Sequence, residues 1–249
     1  MQHGDRIKVV RGIHIRVQHA YKNSILFGGV YGSTAIGRDT EFSDIEMMYV
    51  VKEGGPQADK TFLYRGIPIE VNLLPIARIH RRLAEPDLQL PWLMGNLAAL
   101  QLLAGEEKQR RELLDTYSRL PDAAIARFFL AHGAEIAYES FNKIRSLPRR
   151  GNTRERELFV YEVVREIALA LALLNRRPIT RGYYAAVKES YEFPHIPEAY
   201  RELTETFIRA EEVKEAIEAG QNLLASYERF LQERGICVPR VETLDEVAW

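Results

Sequence analysis

The chain has 249 residues, 46% of them hydrophobic and 28% charged, with a formal net charge of −1. That length and apolar content suffice for one large cored domain or two smaller ones, and the near-neutral balance argues against a generic nucleic-acid binder, which carries a basic excess. No apolar run approaches the ~20 residues that span a bilayer, and the opening MQHGDRIKVVRG has no signal-peptide core. The single cysteine, Cys237, has no partner for an internal disulfide and no Cys or His cluster around it. The expectation is a cytoplasmic protein in a reducing compartment, with neither membrane nor nucleic acid as partner.

In chain order, Ile7, Val10, Val17 and Tyr21 recur at helical spacing, while Ile13, Ile15 and Val17 alternate as in a strand. The spacing favours a helix over 7–21. SILFGGVYGS, from Ser24, is β-branched and aromatic and ends in Gly-Ser, which predicts a strand running into a turn. SDIEMMYVV predicts a second strand, and Gly54-Gly55-Pro56 a loop. TFLYRGIPIEVNLLP predicts a third strand region with a hairpin through Arg65-Gly66, closed by Pro75. From Ile76 to Leu120 the apolar spacing turns helical. Asp122 is the expected N-cap of a single helix reaching about Ser146. Further helices are expected over 155–175, 182–191, 198–210 and 211–233. The resulting fold is α+β: a mixed-sheet domain over 1–120 and an all-α domain over 121–249.

The second strand raises a chemical question. Side chains alternate along a strand, so Asp44 and Glu46 would share a face, roughly 6–7 Å apart at the Cα. Adjacent carboxylates repel, and each raises the pKa of the other. A hard cation offsets that, and Mg²⁺ commonly takes one or two carboxylates plus substrate phosphates. Gly32-Ser33, separated from Asp44 by ten residues, is a turn whose backbone N–H groups and hydroxyl suit an anion. Glu70, between Ile69 and Val71, is a carboxylate on an otherwise apolar strand and needs a partner. A lone Asp-x-Glu on a strand edge is usually solvated, and a lone Gly-Ser means little. Their conjunction points to nucleoside-triphosphate chemistry.

Tyr31-Gly32-Ser33, Asp44-Ile45-Glu46 and Glu70 fill the pattern of the DNA polymerase β nucleotidyltransferase superfamily. The text GVYGS, FSDIEMM and IEVN, with the helical second half, resembles the kanamycin nucleotidyltransferase family of aminoglycoside 4'-O-nucleotidyltransferases. The resemblance implies that Asp44, Glu46 and Glu70 hold Mg²⁺, and that Gly32, Ser33, Arg38, Ser43 and Lys143 bind ATP or another nucleoside triphosphate. It implies Glu139 as the general base for an acceptor hydroxyl, in the Glu139-Ser140-Phe141-Asn142-Lys143 motif. Glu135 is expected to extend the face of Glu139 and Lys143 on one helix and, with Asp59, to grip a cationic aminoglycoside. By itself Glu139–Lys143 is also an ordinary solvated i, i+4 pair worth a few tenths of a kcal/mol. The family implies a homodimer with a shared active site, base and metal ligands coming from different chains.

The sequence departs from the family in places. Ile36 stands where a phosphate-binding arginine is usual, with Arg38 two residues on. Thr61 and Gln89 stand near positions that carry carboxylates, with Asp59 and Asp87 each two residues away, and Pro68 replaces a lysine. These changes bear on the acceptor more than on the chemistry. Other readings are a nucleotidyltransferase acting on another hydroxylated small molecule or a protein, and a non-enzymatic, antitoxin-like partner. The remaining histidines, Trp92, Trp249, the pairs Arg149-Arg150 and Arg176-Arg177, and the tail VETLDEVAW, expected to pack late or fray, carry no chemistry.

Overall fold

The computed structural model describes residues 1–151, 153–182, 185–243 and 245. Two compact units emerge: Met1–Glu85 with Trp92–Leu120, and Pro86–Pro91 with the chain from Pro121 onward.

The first unit is built on a five-stranded sheet in the order β3-β4-β2-β1-β5. Its strands are β1 (Ile25–Tyr31), β2 (Ile45–Val51), β3 (Ala58–Tyr64), β4 (Ile67–Pro75) and β5 (Gln101–Gly105). β2 pairs with β4 in parallel and the other neighbours pair antiparallel. β3 and β4 form the hairpin expected at Arg65-Gly66, where both residues take positive φ, 52° and 78°. Helix α1 (His3–Tyr21) covers one sheet face. Its Val10 and Val17, one heptad apart, enter a core with Val30, Ile45, Met47, Tyr49, Val51, Ile69, Val71 and Leu73. Ile15 is 67% exposed, so the alternation at residues 13, 15 and 17 reflects no strand face. The stretch 76–120, read as helical, also holds β5. Helices α3 (Ile76–Ala84) and α4 (Leu90–Ala98) precede that strand in the chain and α5 (Glu107–Ser118) follows it. β5 is a five-residue edge strand paired only with β1, too short to leave a periodicity. Gly29 is the residue that lets it approach, since a Cβ there would overlap the Gln101 carbonyl.

The second unit is helical: α6 (Asp122–His132), α7 (Tyr138–Arg150), α8 (Arg156–Leu174), α9 (Ala186–Ser190), α10 (Tyr200–Arg209) and α11 (Val213–Gln232). α8 is apolar on all sides in its second half and is buried there from Ile167 to Leu173. α7, α9, α10 and α11 pack against it. The single helix expected over 122–146 is broken at residues 133–137, where Ala137 takes φ 68°. Pro121 rather than Asp122 occupies the N-cap of α6, and Asp122 pairs with Arg176 instead. Of the tail, Leu244 and residues 246–249, including Trp249, lie outside the described residues. No helix among the described residues is long and apolar enough to cross a membrane.

Candidate active site

The sheet face opposite α1 carries the polar row. Register places Tyr31 beside Glu46, Glu46 beside Glu70, and Glu70 beside Thr61, so four strands contribute neighbouring side chains to one face. The row one step along runs Met48, Asn72, Asp59. Apolar residues on either side of Glu46 and Glu70 turn into the α1 core, which fixes both carboxylates outward. Thus the face of β2 and β4 turned away from α1 is apolar at Met48, Val50 and Leu74 and polar at Glu46, Glu70 and Asn72, and these three polar residues mark the candidate site.

Gly32 closes β1 and opens the short helix α2 (Gly32–Ala35) at φ 69°. A Cβ on Gly32 would overlap Glu46 Oε2, so glycine is what admits the carboxylate to the turn. Asp44 differs from its expected place. It stands just before β2, outside the strand, and is exposed where Glu46 is half-buried. The carbonyl of Asp44 accepts from Thr34 Oγ1 at 3.2 Å. Burial, with Asp44 and then Glu70 adding like charge, pushes the Glu46 carboxyl up to about 7. The Tyr31 phenol is pushed up as well, by burial first and then by Glu46 and Glu70. Asn72 Nδ2 donates to Glu70 Oε1 at 2.6 Å.

Among the described residues, no group of three or more His, Cys, Asp or Glu side chains is arranged to hold a metal ion by itself. Two carboxylates repelling across a half-buried surface nevertheless fit a hard cation that draws its other ligands from phosphate and water. Asp44 and Glu46 are the pair that fit, with Glu70 beside them. Ser33 follows directly on the turn, and its carbonyl accepts the backbone N–H of Arg38 at 3.0 Å. The Arg38 side chain is exposed. Ser43 Oγ accepts the Thr40 N–H at 2.9 Å, within the loop that leads to Asp44. Asp59 is exposed on β3.

In the helical unit, Glu139 lies in the first turn of α7 and pairs with Lys143 Nζ at 2.8 Å. The Lys143 hydrogen bond and charge hold the Glu139 carboxyl below the usual range. Glu135 does not extend that face. It sits in the break before α7, and its carboxylate lies 3.7 Å from His132 Nδ1. The break is held by Glu166 of α8, which accepts the Ala137 N–H at 2.7 Å. Burial raises the Glu166 carboxyl despite that bond.

Four residues escaped sequence reasoning: Arg6, Thr34, Asn72 and Glu166. Asn72 alone left a signal, two residues after Glu70 and so on the same face. The others act across 10 to 38 residues of chain.

The carboxylate row and turn, with a helical second half, define a nucleotidyltransferase-like arrangement. The family described as the KNTase C-terminal domain matches residues 109–237, more than half of the chain. The chain belongs to this kanamycin nucleotidyltransferase-like family, and that membership supports a nucleotidyltransferase. Among solved structures, a nucleotidyltransferase-like protein from Exiguobacterium sibiricum 255-15 is similar over 85% of this chain and 69% of its own, at 12% identity and a TM-score of 0.48. No curated protein matches the chain.

Proposed function

We propose that the protein transfers a nucleoside monophosphate from ATP, or another nucleoside triphosphate, to a hydroxyl of a kanamycin-like aminoglycoside and releases pyrophosphate. The observation that carries this reading is the placement of Glu46 beside Glu70, two residues after Asp44, with its Oε2 against the glycine turn where a side chain on Gly32 would displace it. The triphosphate lies on the backbone N–H groups of the Gly32-Ser33 turn, with Ser33 and Ser43 in reach of its oxygens. Asp44 and Glu46 hold the Mg²⁺, which supplies charge neutralisation at the phosphate oxygens when bound. Glu70, fixed by Asn72, completes the acidic surface.

Glu139 takes the proton of the acceptor hydroxyl, whose oxygen forms the new bond to the α-phosphorus. The bond from that phosphorus to the bridging oxygen breaks, and pyrophosphate leaves with the bonding pair. Lys143 and Arg38 stabilise its charge. Glu135 and Asp59 offer carboxylates to the ammonium groups of the acceptor. The reading includes a homodimer in the cytoplasm in which each site draws base and metal ligands from different chains.

Thr61, neutral and directly opposite Glu70, favours a second reading in which the acceptor is another hydroxylated small molecule with fewer cationic groups. One experiment separates the two. Kanamycin, neomycin and lincomycin are incubated separately with protein, ATP and Mg²⁺, and each is weighed by mass spectrometry. AMP on the aminoglycosides supports the first reading, and AMP on lincomycin alone supports the second. ATP consumption without AMP on any acceptor contradicts both.

A further inference from the structure

Arg6 is wholly buried, at 0% exposure, in the first turns of α1. A buried guanidinium is costly unless its donors are matched, and here every match lies on one loop. Nη2 donates to the Thr40 carbonyl at 2.7 Å. Nη1 donates to the Ser43 carbonyl, and reaches that of Asp44 at 3.4 Å. Nε makes no hydrogen bond but lies 3.2 Å from Asp39 Oδ2, an ion pair whose carboxylate side chain is itself 2% exposed. His3 Nδ1 stands 2.5 Å from the other oxygen of Asp39. One side chain therefore ties down the loop from Asp39 to Asp44 at both ends, through Asp39 and Thr40 at its start and Ser43 and Asp44 at its end. Thr34 holds the Asp44 carbonyl from the opposite side. The Asp44 carboxylate, by contrast, accepts no hydrogen bond from the described residues and stays exposed.

We propose that Arg6 is a positioning residue for the metal site: it clamps the 39–44 loop so that Asp44 stands beside Glu46 against their mutual repulsion. The inference rests on the reading of Asp44 and Glu46 as metal ligands. Without the clamp, the cheapest response to two adjacent carboxylates is for the loop to swing Asp44 away, since that residue precedes β2 and no strand pairing restrains it. A partner that only orients a ligand typically changes metal affinity by about 10- to 100-fold when lost.

The test uses Mn²⁺ in place of Mg²⁺, titrated into the full chain with ATP present and followed by the electron paramagnetic resonance signal of free Mn²⁺. Wild type is compared with Asp44→Asn, Arg6→Lys and Asp39→Asn. Circular dichroism and ATP binding in EDTA report on the fold. The expected result is that Asp44→Asn loses Mn²⁺ binding, and that Arg6→Lys weakens it about tenfold or more with fold and metal-free ATP binding retained. Asp39→Asn should weaken it in the same direction. Wild-type Mn²⁺ affinity in Arg6→Lys, with binding lost in Asp44→Asn, overturns the role of Arg6 alone. Should Arg6→Lys not fold, Asp39→Asn decides, and wild-type affinity in it overturns the proposal. Equal affinity in wild type and Asp44→Asn overturns the metal-site reading itself and the inference with it.

Discussion

Glu46 Oε2 fills the space into which a side chain on Gly32 would extend, and Gly32 meets it at φ 69°. Gly32→Ala therefore carries two penalties, a left-handed backbone costing about 1–2 kcal/mol and displacement of Glu46. A lower melting temperature with transfer activity lost is expected. Gly37 is a built-in control, since it also has positive φ, 66°, but nothing within 4 Å of an added Cβ. Gly37→Ala should lower the melting temperature comparably and keep transfer. Retained transfer in Gly32→Ala would remove the turn from the site.

The burial of Glu46, with the like charges of Asp44 and Glu70 beside it, makes stability depend on pH. Its carboxyl stands at about 7 in the folded chain against an ordinary 4.5. Between those values the folded state holds a proton that the unfolded state has released, so stability falls as pH rises, and the full penalty is present above about 7. Glu46→Gln removes the titration. Its melting temperature should match wild type near pH 4.5, exceed it at pH 8, and come with loss of transfer. A variant no more stable than wild type at pH 8 would show that Glu46 is not held charged against burial and repulsion.

Lys143 keeps the Glu139 carboxyl below its usual range, so in the proposed role as base Glu139 would stay ionised to lower pH. Lys143→Ala releases the carboxyl upward, and the acid limb of the kcat profile should move to higher pH. Glu139→Gln should lower kcat far more than it weakens nucleotide binding. An unchanged acid limb in Lys143→Ala would dissociate Glu139 from the proton transfer.

The proposed dimer with a shared site has a kinetic signature. Asp44→Asn and Glu139→Gln homodimers should each be inactive. Mixing them equally through reversible dissociation should restore roughly a quarter of wild-type activity, because half the dimers are mixed and one of their two sites is intact. No recovery in a verified mixed dimer would place base and carboxylates in the same chain.

The sheet was legible because its strands obey local rules. β1, β2 and the β3–β4 hairpin show β-branched runs bounded by Gly-Ser, Gly-Gly-Pro and Arg-Gly. α8 and α11 were legible from long Ala/Leu/Glu segments. β5 was not, because five residues on an edge, three half-exposed and two exposed, have no period to read. The break before α7 was missed because its one local signal is the lone Gly133, while Ala137, at φ 68°, donates its N–H to Glu166, 29 residues away, a contact no local pattern announces. Glu46 and Glu70 could be read as candidates from their apolar neighbours, but their side-by-side register in parallel strands is a property of the sheet. Arg6 left no trace at all. An arginine in the first turns of a helix reads as solvated, and only the folded loop shows it buried.

The most direct measurement is pyrophosphate release from ATP and Mg²⁺ in the presence of kanamycin, counted against AMP-bearing kanamycin by mass spectrometry, for wild type and Asp44→Asn. Pyrophosphate and AMP ester in equal amounts from wild type, and neither from a folded Asp44→Asn, is the result this account expects. Equal turnover by both proteins, or pyrophosphate with no nucleotide on any acceptor, would contradict it.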